Sequence, residues 1–254
     1  MAKIAVFDSG LGSLSVIKEI QKTMKAEIIY FADQKNFPYG KKTKSELTKI
    51  IRNSIKVLNE KFSPDLIVIG SNTPTVILDI DDEQVIGIRP PIREAEKISK
   101  TKNIGVLATQ ATINSRELSS YIKNSKLNSS TKIHKINGSK LVELVESGMF
   151  LTDKLFCKIT IKKNLKNILA EKNIDVITLS STHLPFLKKL LVKEFPNTKF
   201  IDPGNIIAKK IQRRFQNKEE ERNKLMIFSS DDTKKFEKNL RRLGIKNKVN
   251  FLSC

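Results

Sequence analysis

Short apolar, β-branched runs alternate along the whole chain with longer segments whose apolar residues fall three and four apart. This is the pattern of a parallel sheet whose crossovers are helices. The runs predict strands at Ile4–Phe7, Glu27–Phe31, Leu66–Gly70, Val85–Ile88, Ile104–Ala108, Lys132–Ile136, Val176–Leu179, Lys199–Ile201 and Leu225–Phe228. Helical spacing is read over Leu14–Met24, Ser45–Phe62, Ala111–Ile122, Asp153–Glu171 and Asn205–Phe215. The fold class is therefore α/β, and in open parallel sheets ligands sit at the carboxyl ends of the strands. Polar residues directly after the apolar runs become the candidates for chemistry.

Four such turns repeat in order. In the first half IAVF runs into DSG and LIVIG into SNT; in the second, IGVLA runs into TQAT and VITLS into STH. The repeat predicts two pseudosymmetric lobes, each a parallel sheet flanked by helices, with an active-site cleft between them. The expected boundaries are residues 1–92 with 206–254 for the first lobe and 93–205 for the second.

Each candidate has a structural reading beside a functional one. Asp8 either caps the following helix through its backbone N–H groups or presents a carboxylate from the strand tip. Ser71, Asn72 and Thr73, with Pro74 at a first helical position, cap a helix, cradle a carboxylate, or do both. Ser181, Thr182 and His183 mirror that triplet, with Pro185 opening a helix, and an imidazole titrates near neutrality and suits proton transfer. The second histidine, His134, lies on a strand among lysines and reads as structural. Pro38, Tyr39 and Gly40, in NFPYG, sit at a fifth strand end, where Tyr39 is placed to cover a small ligand. Glu146 ends a short amphipathic helix in LVELVESG and reads as a surface carboxylate unless the fold brings it to a partner.

Composition narrows the classes. The formal net charge is +20, yet lysines are spread through nearly every helical segment and only 6% of residues are aromatic. That speaks for a solvated basic surface and against nucleic acid as a partner, while the surface still attracts anionic metabolites. No apolar run approaches a bilayer span, so no membrane partner is expected. MAKIAVFDSG enters a strand pattern within three residues, which leaves no room for a secretory signal, and a cytoplasmic location is expected. Cys157 and Cys254 make neither a metal spacing nor a disulfide framework.

In their order and spacing, VFDSGLGSLSV, FADQKNFPYG, IVIGSNTPTV, VIGIRPPIREA, GVLATQATINS, LVELVESG, LSSTHLPFL and IDPGN resemble the glutamate racemases of the aspartate/glutamate racemase superfamily. These are cofactor-independent isomerases with two pseudosymmetric lobes. The resemblance implies that Asp8, Ser9, Tyr39, Gly40, Asn72, Thr73, Thr182 and His183 line a pocket for a small acidic amino acid, glutamate or aspartate. It implies that Glu146 and His183 assist proton transfer between the L and D forms without cofactor or metal; a racemase lacking the family's thiols would place more of that transfer on His183, Asp8 and Glu146. A homodimer is among the assemblies it allows.

In the family pattern a cysteine precedes each Asn-Thr or Thr-His pair. Here Ser71 and Ser181 stand at those catalytic positions. A thiol titrates at about 8.5 and its neighbours can lower that value, whereas a serine hydroxyl is far less acidic and makes a scarce resting base. Serine serves better as a nucleophile that a base activates during attack. Further departures cluster nearby: Ser13 for glycine, Gly70 and Pro74 for alanine, Ser180 for glycine, Leu184 for tyrosine. Natural divergence explains the cluster better than engineering of the two cysteines alone, with engineering on a divergent background as the alternative. Two other functions stand beside a racemase: a pseudoenzyme that binds an acidic amino acid as a sensor or regulatory partner, and an interaction protein using its basic surface.

Overall fold

Ten strands form among the described residues, 2–216 and 222–254, of the computed structural model. They are β1 (Lys3–Asp8), β2 (Glu27–Ala32), β3 (Leu66–Ile69), β4 (Val85–Gly87), β5 (Asn103–Ala108), β6 (Lys132–Asn137), β7 (Val176–Leu179), β8 (Lys199–Ile201), β9 (Lys224–Ser229) and β10 (Val249–Phe251). The apolar runs locate the first nine to within a residue or two. β10 escapes the pattern because it is three residues long and only Val249 is buried.

The strands make two parallel sheets, ordered β10-β9-β2-β1-β3-β4 and β6-β5-β7-β8. The chain divides accordingly into two compact units, Met1–Ile88 with Gly204–Cys254, and Arg89–Pro203. Within its own sheet, β2-β1-β3-β4 follows the same order as β6-β5-β7-β8. The registers agree as well: Phe7 pairs with Ile69 in the first unit, and Leu107 with Leu179 in the second. Just beyond, the Gly70 N–H donates to Phe7 O and the Ser180 N–H to Leu107 O, each at 2.8 Å. Ser71 thus occupies the position in its unit that Ser181 occupies in the other, Asn72 that of Thr182, and Thr73 that of His183. The same register aligns Asp8 with Ala108, so the carboxylate has no counterpart in the second unit.

Each unit is held by burial of its own apolar faces. In the first, Leu47, Ile51 and Leu58 of helix Lys44–Phe62 pack on Phe7, Ile29, Phe31 and Ile69. Thr43 and Glu46 start that helix with a capping box, which satisfies two otherwise free backbone donors. In the second unit, Leu141, Leu144 and Val145 of helix Ser139–Glu146 join Ile161, Leu165, Leu179 and Leu187 in one cluster. At about 1.5–3 kcal/mol per fully buried aliphatic side chain, these clusters outweigh any single polar contact in fixing the strand ends.

Two sequence expectations change. The segment Ala111–Ile122 is two helices, Gln110–Asn114 and Arg116–Asn124. Ser115 is extended between them and its hydroxyl accepts from the Leu118 N–H at 3.1 Å; the apolar spacing runs across the break, so periodicity alone reads one helix. Pro74 is the third residue of helix Asn72–Leu78, and Pro185 the second residue of the 3-10 turn Leu184–Leu187.

Candidate active site

The carboxyl end of β1 carries Asp8, 1% exposed, whose Oδ1 accepts from the Ser9 N–H at 2.7 Å. The following helix, Ser13–Thr23, has Gly12 at its N-cap with no side-chain cap bond. Asp8 thus lies four residues before that N-cap, and its buried carboxyl group stands at the strand tip.

Tyr39 is brought to the same end of the sheet by a residue that the sequence reading passed over. Asp33, fully buried, follows β2 as Asp8 follows the core of β1, and its N–H donates to Asp8 O at 2.7 Å. The Asp33 carboxylate accepts from Tyr39 Oη at 3.0 Å, from Asn36 Nδ2 at 2.9 and 3.0 Å, and from Ser230 Oγ at 2.9 Å. This anchors the loop Gln34–Lys41 to the end of β9. Burial, the charges of Asp33 and Asp8, and the bond to Asp33 together hold the Tyr39 phenol well above its usual value, so it is a neutral donor. Gly40 lies beside it in the 3-10 turn Tyr39–Lys41. The signal for Asp33 was available: an acidic residue directly after an apolar strand.

The end of β3 carries Ser71, Asn72 and Thr73. Ser71 is the N-cap residue of helix Asn72–Leu78 but its side chain makes no cap bond. Asn72 and Thr73 are buried. Asn72 Nδ2 donates to Ile88 O at 3.1 Å, while its buried Oδ1 has no hydrogen-bond partner. A buried acceptor left without a donor costs about 1–3 kcal/mol, so this oxygen is a place where a ligand N–H is welcome.

In the second unit the end of β7 carries Ser181, Thr182 and His183, all buried. His183 Nε2 meets Glu146 Oε1, and Ser181 Oγ lies 3.5 Å from His183 Nδ1. Glu146 reaches the histidine because Leu141, Leu144 and Val145 fix the inner face of its helix and Ser147-Gly148 ends it, Gly148 taking a left-handed φ of +76° that glycine adopts without strain. The surface reading of Glu146 is replaced by a carboxylate–imidazole–hydroxyl row. His134 sits elsewhere, its Nε2 2.9 Å from Asn103 Oδ1 on the neighbouring strand, as its structural reading expects.

The departures around the serines have steric partners. A Cβ on Gly70 would lie 2.2 Å from Ser13 Oγ, and Ser13 Oγ donates to Gly70 O at 3.2 Å. Ser180 Oγ is 2.8 Å from Thr178 Oγ1.

A glutamate racemase from Sulfurihydrogenibium sp. (strain YO3AOP1) is 34% identical to this chain over 245 residues, covering 92% of this chain and 91% of its own. The chain belongs to the glutamate racemase family. The solved glutamate racemase isoform RacE1 from Bacillus anthracis is 26% identical, with a TM-score of 0.85 over 99% of this chain and 97% of its own. An Escherichia coli glutamate racemase, solved with L-glutamate and the activator UDP-MurNAc-ala, shares the fold at a TM-score of 0.83 and 24% identity, over 99% of this chain and 97% of its own. No family model matches the chain. This glutamate racemase fold carries Ser71 at the end of β3 and Ser181 at the end of β7.

Proposed function

We propose that the chain acts on a small acidic amino acid, glutamate first, and moves the proton at Cα without a cofactor. Asp8, Ser9, Tyr39, Gly40, Asn72, Thr73 and Thr182 hold the amino acid: the Asp8 carboxylate and the accepting oxygen of the Tyr39 phenol suit its ammonium, the hydroxyls of Ser9, Thr73 and Thr182 suit its carboxylates, and the unpartnered Asn72 Oδ1 takes an N–H. Proton transfer falls to His183, Glu146 and Asp8, with Ser71 and Ser181 at the positions that face the reacting carbon in the family pattern. The observation that carries this reading is the Ser181–His183–Glu146 row at the end of β7 in a chain of glutamate racemase sequence. A base with a carboxylate behind it can accept a proton that a serine alone cannot hold.

The same reading carries two further expectations. A cytoplasmic location is the first of them; among the described residues no helix is long and apolar enough to cross a membrane. A homodimer is the assembly to test by light scattering.

Proton NMR in deuterated buffer, with each enantiomer of glutamate and aspartate, tests the function directly. The expected result is slow loss of the Cα proton signal, absent in His183→Ala. Exchange should rise when Ser71→Cys and Ser181→Cys are introduced together. Exchange seen only in that double variant, with ligand-dependent thermal stabilisation of the parent, assigns the chain to binding without turnover. No exchange and no stabilisation in either form sinks the proposal.

A further inference from the structure

We propose that Ser181 is an activated nucleophile, and that the chain accepts an acyl group from small activated esters and releases it to water. This is covalent chemistry beyond proton transfer at Cα, and it does not rest on the racemase reading.

The argument begins with the histidine tautomer. His183 Nε2 faces the Glu146 carboxylate, an acceptor, so Nε2 carries the proton. In the neutral imidazole Nδ1 then keeps its lone pair, and Ser181 Oγ faces it at 3.5 Å. That contact is long for an O–H···N bond, as nucleophile–base contacts commonly are before a substrate tightens them. Carboxylate, imidazole and hydroxyl thus stand in the order that activates serine in acyl transfer, whatever the fold around them. Glu146 is the positioning residue, His183 the base and Ser181 the nucleophile.

Ser180 and Thr178 are bonded to each other at 2.8 Å. The equivalent serine in the first unit, Ser71, is followed by Asn72 and Thr73, so the position matching His183 holds no imidazole. Of these two equivalent serines, Ser181 alone has an imidazole two residues on. A hydroxyl that is a poor resting base becomes reactive once a base takes its proton during attack.

The step balances without an added reagent other than water. Ser181 Oγ bonds to the carbonyl carbon as its proton passes to His183 Nδ1; the ester C–O bond breaks, and that proton leaves with the departing oxygen. Water, deprotonated by the same imidazole, then attacks the acyl carbon and returns the proton to Oγ. With a fluorophosphonate, the P–O bond forms, P–F breaks, and the proton departs with fluoride.

The full chain is treated with p-nitrophenyl acetate or a fluorophosphonate, with no amino acid present, and the adduct is mapped by peptide mass spectrometry. The expected result is one dominant adduct on Ser181, slowed on the order of 10²-fold in His183→Ala and unchanged in His134→Ala. Glu146→Gln should alter the pH profile of labelling, and Glu146→Asp should restore it, which a purely structural glutamate does not do. Ser181→Ala should abolish the adduct; if that variant fails to fold, Ser181→Cys with iodoacetamide replaces it, and its alkylation must also depend on His183. Adducts confined to lysines, or labelling of Ser181 that ignores His183, overturn the proposal. Cα exchange is read in a separate experiment, so the two readings fail independently.

Discussion

Ser13 and Gly70 fill one space between them. The Ser13 hydroxyl donates to Gly70 O at 3.2 Å and occupies the volume that a Cβ at position 70 would need, 2.2 Å away. Gly70 is the last residue before Ser71, so the pair sets the backbone that presents the candidate site.

Gly70→Ala alone should therefore destabilise the protein by about 1–3 kcal/mol, the usual cost of overfilling a packed interior. Ser13→Gly in the same chain should recover most of that loss. A double-mutant cycle by urea denaturation measures the coupling; additive effects would show that the two positions are independent.

Asp33→Asn should bring the Tyr39 phenol down toward its ordinary range, because it removes one of the negative charges that keep the phenol protonated. Ultraviolet absorbance titration at high pH, with Tyr39→Phe as the reference, reads the change. Linkage gives a second readout. The folded phenol is raised above its unfolded value of about 10, so its contribution is fully present below that pH. It is lost as pH rises from there through the folded value, since the unfolded tyrosine releases its proton first. Tyr39→Phe should flatten this alkaline decline.

Asn72→Leu exchanges an unpartnered buried acceptor for an apolar group while also removing the donor to Ile88 O. The opposing effects should leave the free protein within about 1 kcal/mol of the parent. Stabilisation of the parent by glutamate in a thermal melt should disappear in the variant. An unaffected ligand shift would remove Asn72 from the proposed binding set.

His134→Ala should leave Cα exchange untouched, in contrast to His183→Ala. Burial, then Lys172 and Lys132, lower the His134 value, so its contribution to stability is present above the unfolded value of about 6.5 and is lost as pH falls through the folded one. The variant should show a shallower loss of stability across that acid window by denaturant titration.

Much of this protein was legible in its residues. Alternating apolar runs and helical spacing determine the α/β class, because strands buried on both faces leave no room for polar residues. The repeated order DSG, SNT, TQAT, STH marks two related units, and the two serines are plain in the sequence. Tertiary structure decided what those residues face. Glu146 reads as a surface carboxylate until packing of its helix turns it to His183; Asp33 gains meaning only when Tyr39, Asn36 and Ser230 converge on it; Ser13 and Gly70 are separate oddities until they share one volume. Periodicity records which face of an element is buried, whereas contacts between residues distant in the chain are set by how the elements pack, and that packing is where the chemistry of Ser181 is decided.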